Sequence, residues 1–204
     1  MARRDSIHPL PVRVAHAVNA FAMVCMLMSG WAIYNASPIF AFRFPAWATV
    51  GGWLGGSIAW HFAAMWLLAA NGLVYLAYGF ASGHFRRALL PIRKDELMRD
   101  LRQAARFELP HRLGVYNAVQ RFLYIVVLLL GVLVVASGLS IWKPVQLFRL
   151  TEFFGGYDVA REVHFIAMAG IAGFIVIHLL LALIVPRTIL PMISGRAAAR
   201  EAQP

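Results

Sequence analysis

Residues 163–186 read VHFIAMAGIAGFIVIHLLLALIVP, an apolar run without a charged side chain that nevertheless carries two histidines, His164 and His178. About 20 apolar residues are enough for a helix to cross a bilayer, so this run predicts a spanning helix. The histidines are 14 residues apart, which is about 21 Å along a helix at about 1.5 Å per residue. Fourteen steps of about 100° return to within about 40° of the starting direction, so both imidazoles share one face. One helix thus offers two nitrogen donors, one near each edge of the membrane. Ionisable groups inside a span are costly and mark functional sites by default.

Working outward, the 204 residues are 61% hydrophobic and 14% charged, with a mean hydropathy of +0.69. Soluble domains have about 45–50% apolar and about 25% charged residues, so composition predicts an all-α membrane protein. Four segments are long enough to span: about 12–34, 58–80, 119–142 and 160–185. They predict a four-transmembrane-helix bundle forming a single membrane-embedded domain over residues 1–204, with a flexible tail at 196–204. The first segment is too long for a cleaved signal peptide and is expected to remain as a helix. Pro9 and Pro11 are expected to prevent a helix before the membrane. Cys25 is the single cysteine, which excludes intrachain disulfides, iron–sulfur clusters and zinc fingers. Covalent c-type haem attachment is excluded by the lack of CxxCH.

The net charge of +10 is distributed by topology. Fifteen of the 19 Lys and Arg residues flank the cytoplasmic ends of the predicted spans or lie in the connector between the second and third. Only Arg43, Lys143, Arg149 and Arg161 fall on the other side. This positive-inside bias predicts that both termini are cytoplasmic, and it makes the charge a topology and lipid signal rather than a nucleic-acid footprint. Residues 92–109 place Leu97, Leu101 and Leu109 at helical spacing with arginines on the other faces, as expected of an amphipathic helix on the inner leaflet. The outer segment 35–57 is rich in Pro, Gly and aromatics. It reads either as a docking surface or as a connector resting on lipid headgroups. Ser137-Gly138 in the third span echoes Ser29-Gly30 in the first, too briefly to be read as an internal repeat.

With topology fixed by charge alone, depth follows from position along each span. His16 and His178 fall near the inner edge, and His61 and His164 about one turn below the outer edge. Two pairs at matching depth suit two six-coordinate haems, each needing two axial donors, and neutral imidazole serves that role. The bland alternative is four buried histidines, each hydrogen-bonded to a neighbouring helix. A proton relay or metal transporter is disfavoured because the span interiors hold no Asp or Glu. Haems with two histidine ligands suit electron transfer, and their ends need a donor and an acceptor. A quinone at the inner edge would meet polar groups drawn from Arg13, Asn19, His111, Arg112, Tyr116 and Asn117. Arg13 and Arg161 are candidate partners for haem propionates.

Several stretches carry a resemblance: HPLPVRVAHAVNA and the following SGW, WHF in the second span, GHFRR at its end, YNAVQRFLY opening the third, and REVHF…VIH in the fourth. Together they resemble bacterial di-haem cytochromes b, the cytochrome b561 group and the membrane subunits of nickel–iron hydrogenases, formate dehydrogenases and thiosulfate reductases. The resemblance runs from His8 to about Arg196. It implies two haem b groups ligated by His16, His61, His164 and His178, exchange with the quinone pool, a bacterial inner-membrane location, and a periplasmic oxidoreductase partner with a metal or molybdopterin site. Two other readings stand beside it: a stand-alone quinone-coupled oxidoreductase acting on superoxide or another small oxidant, and a haem-free transporter or scaffold.

Overall fold

The computed structural model describes residues 10–81, 93–106, 117–184, 186 and 189–195. Among these residues there is no strand. The helices are α1 (Leu10–Ala36), α2 (Leu54–Ala81), α3 (Lys94–Ala105), α4 (Ala118–Trp142), α5 (Phe148–Phe153), α6 (Tyr157–Ile184) and α7 (Ile189–Ser194), with a 3-10 turn at Ala46–Ala48. Among the described residues, α1, α2, α4 and α6 are the four helices long and apolar enough to cross a membrane, as expected. Each starts slightly earlier than the hydrophobic pattern indicates. Pro11 lies inside the first turn of α1, because a first-turn residue needs no N–H partner and the proline φ already suits a helix. Pro11 therefore does not delay that helix, and Pro9 lies outside the described residues.

The chain forms two compact units, residues 1–82 with 185–204, and residues 83–184. In the first, α1 packs against α2, and in the second, α4 packs against α6. Most of what these helices bury is small: Ala22, Ser29, Ser57, Ala64 and Gly79 in one pair, Ala118, Ser137, Ser140, Ala160 and Ala167 in the other, with Tyr34 and Ile171 the larger buried side chains. Large apolar side chains such as Leu73, Phe80, Leu129 and Val132 point outward. Lipid tails are as apolar as leucine, so helices in a bilayer associate by close approach of small residues rather than by hiding large ones.

The connector from α1 to α2 is tied to the end of α1. Asn35 donates to the Phe44 carbonyl at 2.8 Å and accepts from the Phe44 N–H at 2.9 Å. Phe44 stacks on Trp31 at 4.8 Å between centroids. Gly51 and Gly52 then turn with positive φ. A Cβ on Gly51 would fall 2.4 Å from the Ser57 nitrogen, so only glycine fits there. After α4, Ser140 and Thr151, both buried, are joined side chain to side chain at 3.0 Å and hold α5 against the end of the third span.

The amphipathic connector expected over 92–109 is helical as α3, and Leu109 lies outside the described residues. Asp95 and Glu96 sit in the first turn of α3 and Arg102 in its last, the arrangement that the helix dipole favours. Glu96 pairs with Arg121 of α4 at 2.6 Å, and the Asp100 carboxylate accepts the Ala118 N–H at 2.9 Å. Asn117 and Gln120 complete a capping box at the same end. The third span is thereby capped partly by its own sequence and partly by α3.

Candidate cofactor-binding histidines

All four intramembrane histidines are among the described residues: His16 on α1, His61 on α2, and His164 and His178 on α6. His61 and His164 are half-buried, whereas His16 and His178 are exposed along their helices. His8, His84, His111, Arg112 and Tyr116 lie outside the described residues.

His61 faces the Ser29-Gly30 step of α1. Its Nδ1 is 3.0 Å from Ser29 Oγ, and a Cβ on Gly30 would stand 3.5 Å from its Cε1. His164 meets Ser137-Gly138 of α4 in the same way. Its Nδ1 is 3.2 Å from Ser137 Oγ and 2.9 Å from the Val134 carbonyl. A Cβ on Gly138 would stand 3.1 Å from His164 Cε1 and 3.3 Å from Nδ1. The echo between the first and third spans is therefore one arrangement used twice: serine against the ring nitrogen, glycine against the ring edge.

In the first unit a second polar contact registers the helices. Asn71 of α2 donates to the Ala15 carbonyl at 2.9 Å and to Asn19 Oδ1 at 2.7 Å. His61 is thus level with Ser29 on α1, thirteen residues beyond His16, or about 20 Å along the helix axis. Along α6 the separation of His164 and His178 is 14 residues, about 21 Å. Within each unit the two histidines are separated along the helix axis by nearly the same rise, thirteen residues in the first and 14 in the second. His178 additionally stacks on Phe174, one turn earlier, at 6.0 Å and 11°.

Arg13 donates to the carbonyls of Met192 (3.2 Å) and Ile193 at the end of α7. A guanidinium carries five N–H donors, so this engagement leaves capacity for a further acceptor. Arg161 is half-buried on α6, three residues before His164 and on the same face. Among the described residues no three His, Cys, Asp or Glu come together in a way that would hold a bare metal ion. The donor set instead suits a cofactor that supplies its own equatorial nitrogens and needs only axial imidazoles. The fit extends to shape, since the Nδ1–Cε1 edges of His61 and His164 are turned to the neighbouring helix.

Four apolar spans, three of them carrying histidines, fit a membrane cytochrome of the b type. The chain belongs to the prokaryotic cytochrome b561 family, whose pattern it matches over residues 7–195. It is accordingly a multi-pass membrane protein of haem b electron transfer. A relative in Azospira oryzae, named as a candidate protein-methionine-sulfoxide reductase subunit YedZ1, is 45% identical over 191 residues, covering 93% of this chain and 96% of its own length. No solved structure matches the chain.

Ser29, Ser137, Gly30 and Gly138, which touch the histidine rings, and Asn71, which registers α2 against α1 beside them, are the residues that sequence reasoning missed or left unexplained. The available signal was the occurrence, inside the predicted spans, of the Ser-Gly steps at 29–30 and 137–138 together with the His-Phe steps His61-Phe62 and His164-Phe165.

Proposed function

We propose that this chain carries electrons across the bacterial inner membrane through two haem b groups, from quinol to a periplasmic reductase of protein methionine sulfoxide. His16 and His178 ligate the inner haem, and His61 and His164 the outer one. The observation that carries this reading is the equal spacing of histidine levels in the two units, about 20 Å along α1 and about 21 Å along α6. Each haem would supply a one-electron couple, and two histidines on it would leave no coordination site open for oxygen. The protein's part is to hold the imidazoles at fixed depth and to keep water from the apolar path between them. Arg161, and Arg13 alongside its carbonyl contacts, receive the propionates by charge-assisted hydrogen bonds. Both termini are cytoplasmic under the charge bias.

The partner class rests on the name of the Azospira relative, a reductase subunit. Being named as a subunit, that relative favours a chain that feeds a partner over one that acts alone on superoxide. A reductase partner consumes electrons, so flow runs outward from the quinol.

The test is a reduced-minus-oxidised spectrum of the purified protein with haem counted per chain by pyridine haemochrome. Two haem b per chain are expected, with one lost in His178→Ala. Retention of both in that variant, or a single haem in the unaltered protein, would overturn the ligand assignment. Addition of quinol and the separately purified reductase should then drive repair of an oxidised methionine protein, and failure of that step alone would remove the partner.

A further inference from the structure

The two serines that face the outer histidines have their own protons committed elsewhere. Ser29 Oγ lies 2.6 Å from the Cys25 carbonyl and 3.2 Å from that of Met26. Ser137 Oγ lies 2.7 Å from the Leu133 carbonyl and 3.3 Å from that of Val134. A hydroxyl has one proton to give and two lone pairs to receive with. Having donated backwards along its own helix, each oxygen can only accept from the imidazole it faces. The Val134 carbonyl, 2.9 Å from His164 Nδ1, is likewise an acceptor only. Nδ1 of both histidines therefore carries the proton, and the basic lone pair resides on Nε2. Both serines are fully buried, at 0% exposure, so the contact is sheltered from competing water.

We infer that Ser29 and Ser137 are positioning residues that hold His61 and His164 in the Nδ1–H tautomer, present Nε2 to the iron, and set the potential of the outer haem. This rests on the proposed ligand pairs. An acceptor on the distal ring nitrogen makes the imidazole a stronger donor to a metal, and such outer partners typically alter metal affinity by about 10–100-fold when removed. A stronger donor favours the oxidised iron, so the serines lower the potential. Gly30 and Gly138 complete the arrangement by leaving space for the ring edge against the helix. Because both serines serve the outer pair, their effect falls on one haem and leaves the other as an internal reference.

The experiment is a spectroelectrochemical titration of the haem-loaded, full-length protein and of Ser29→Ala, Ser137→Ala and the corresponding Ser→Thr variants, with haem counted in each. In Ser29→Ala the outer haem should become easier to reduce by about tenfold in its equilibrium constant, an upward shift of about 59 mV for a one-electron couple. Ser137→Ala should move the same haem in the same direction by a smaller amount, because the Val134 carbonyl still accepts from His164 Nδ1. The inner haem should stay in place, and threonine, which keeps the hydroxyl, should restore the original value. Unchanged potentials in the alanine variants with both haems bound, equal shifts of both haems, or threonine behaving as alanine would each overturn the inference while leaving the ligand pairs standing. Should Ser29→Ala not accumulate, Ser137→Ala and Ser29→Cys decide by the same criteria. Failure of the underlying pairs is distinguishable, because it shows in the unaltered protein's haem count and in His61→Ala.

Discussion

Between α1 and α2, a Cβ added at Gly30 would stand 3.5 Å from the His61 ring; between α4 and α6, one added at Gly138 would stand 3.1 Å from the His164 ring. The first is ordinary van der Waals contact, and the second requires a neighbour to give way. The pairs also differ in what else holds them. Asn71 reaches across the first pair to Ala15 and Asn19, whereas in the second the His164 ring itself reaches the Val134 backbone. The same Ser-Gly arrangement thus sits in a pair registered by an independent polar contact and in a pair registered through the histidine. Precision at the site is expected to depend on the glycine far more in the second pair than in the first.

The strongest test of that parallel is removal of the rings themselves. His61→Ala and His164→Ala should each leave one haem per chain, and the surviving haem should be the same in both, as judged by its potential. Loss of different haems in the two variants would break the parallel between the pairs. Next in size is the glycine contrast. Gly138→Ala should displace the His164 ring and lower outer-haem occupancy, whereas Gly30→Ala should keep both haems. Alanine in place of a helical glycine otherwise favours the helix by about 1 kcal/mol, so Gly30→Ala should melt at or above the unaltered protein. Equal haem loss in the two would remove the difference in margin. The smallest effect is expected for Asn71→Leu, which removes two interhelical hydrogen bonds worth together about 1 kcal/mol in a membrane setting. Denaturant-induced unfolding in detergent should fall by that amount while the haem spectrum stays unchanged, and a spectral change would place Asn71 in the site rather than beside it.

The four spans, and the 14-residue separation of the two histidines on α6, were legible in the sequence because hydropathy and helical rise are local properties. Helix starts were less so: α2 begins at Leu54, four residues before the expected Ile58, since the Gly51-Gly52 turn, and not hydropathy, decides where it can begin. The duplicated Ser-Gly step was visible as letters but not as a repeat. From Ser29 to His61 is 32 residues, and from Ser137 to His164 only 27, because α1 runs further past its serine than α4 does and the α1–α2 connector is longer than the α4–α6 one. Asn71 meets Ala15 across 56 residues of sequence, and no periodicity encodes such a contact. The pairing of Glu96 with Arg121 was hidden for a related reason. Each residue alone reads as a solvated charge.

That ion pair bears on how much of α4 is available to the bilayer. Arg121 stands near the start of a 25-residue helix, and an unpaired guanidinium there would force the hydrocarbon boundary to Phe122. The 21 residues from Phe122 to Trp142 rise about 31 Å, which matches a hydrocarbon core of about 30 Å with no surplus. With Glu96 cancelling the charge, the first turn can lie deeper, and the helix gains length that it can take up as tilt. The α3 connector thereby sets the hydrophobic match of the third span, and bilayers of different thickness should be tolerated only while that pair is intact.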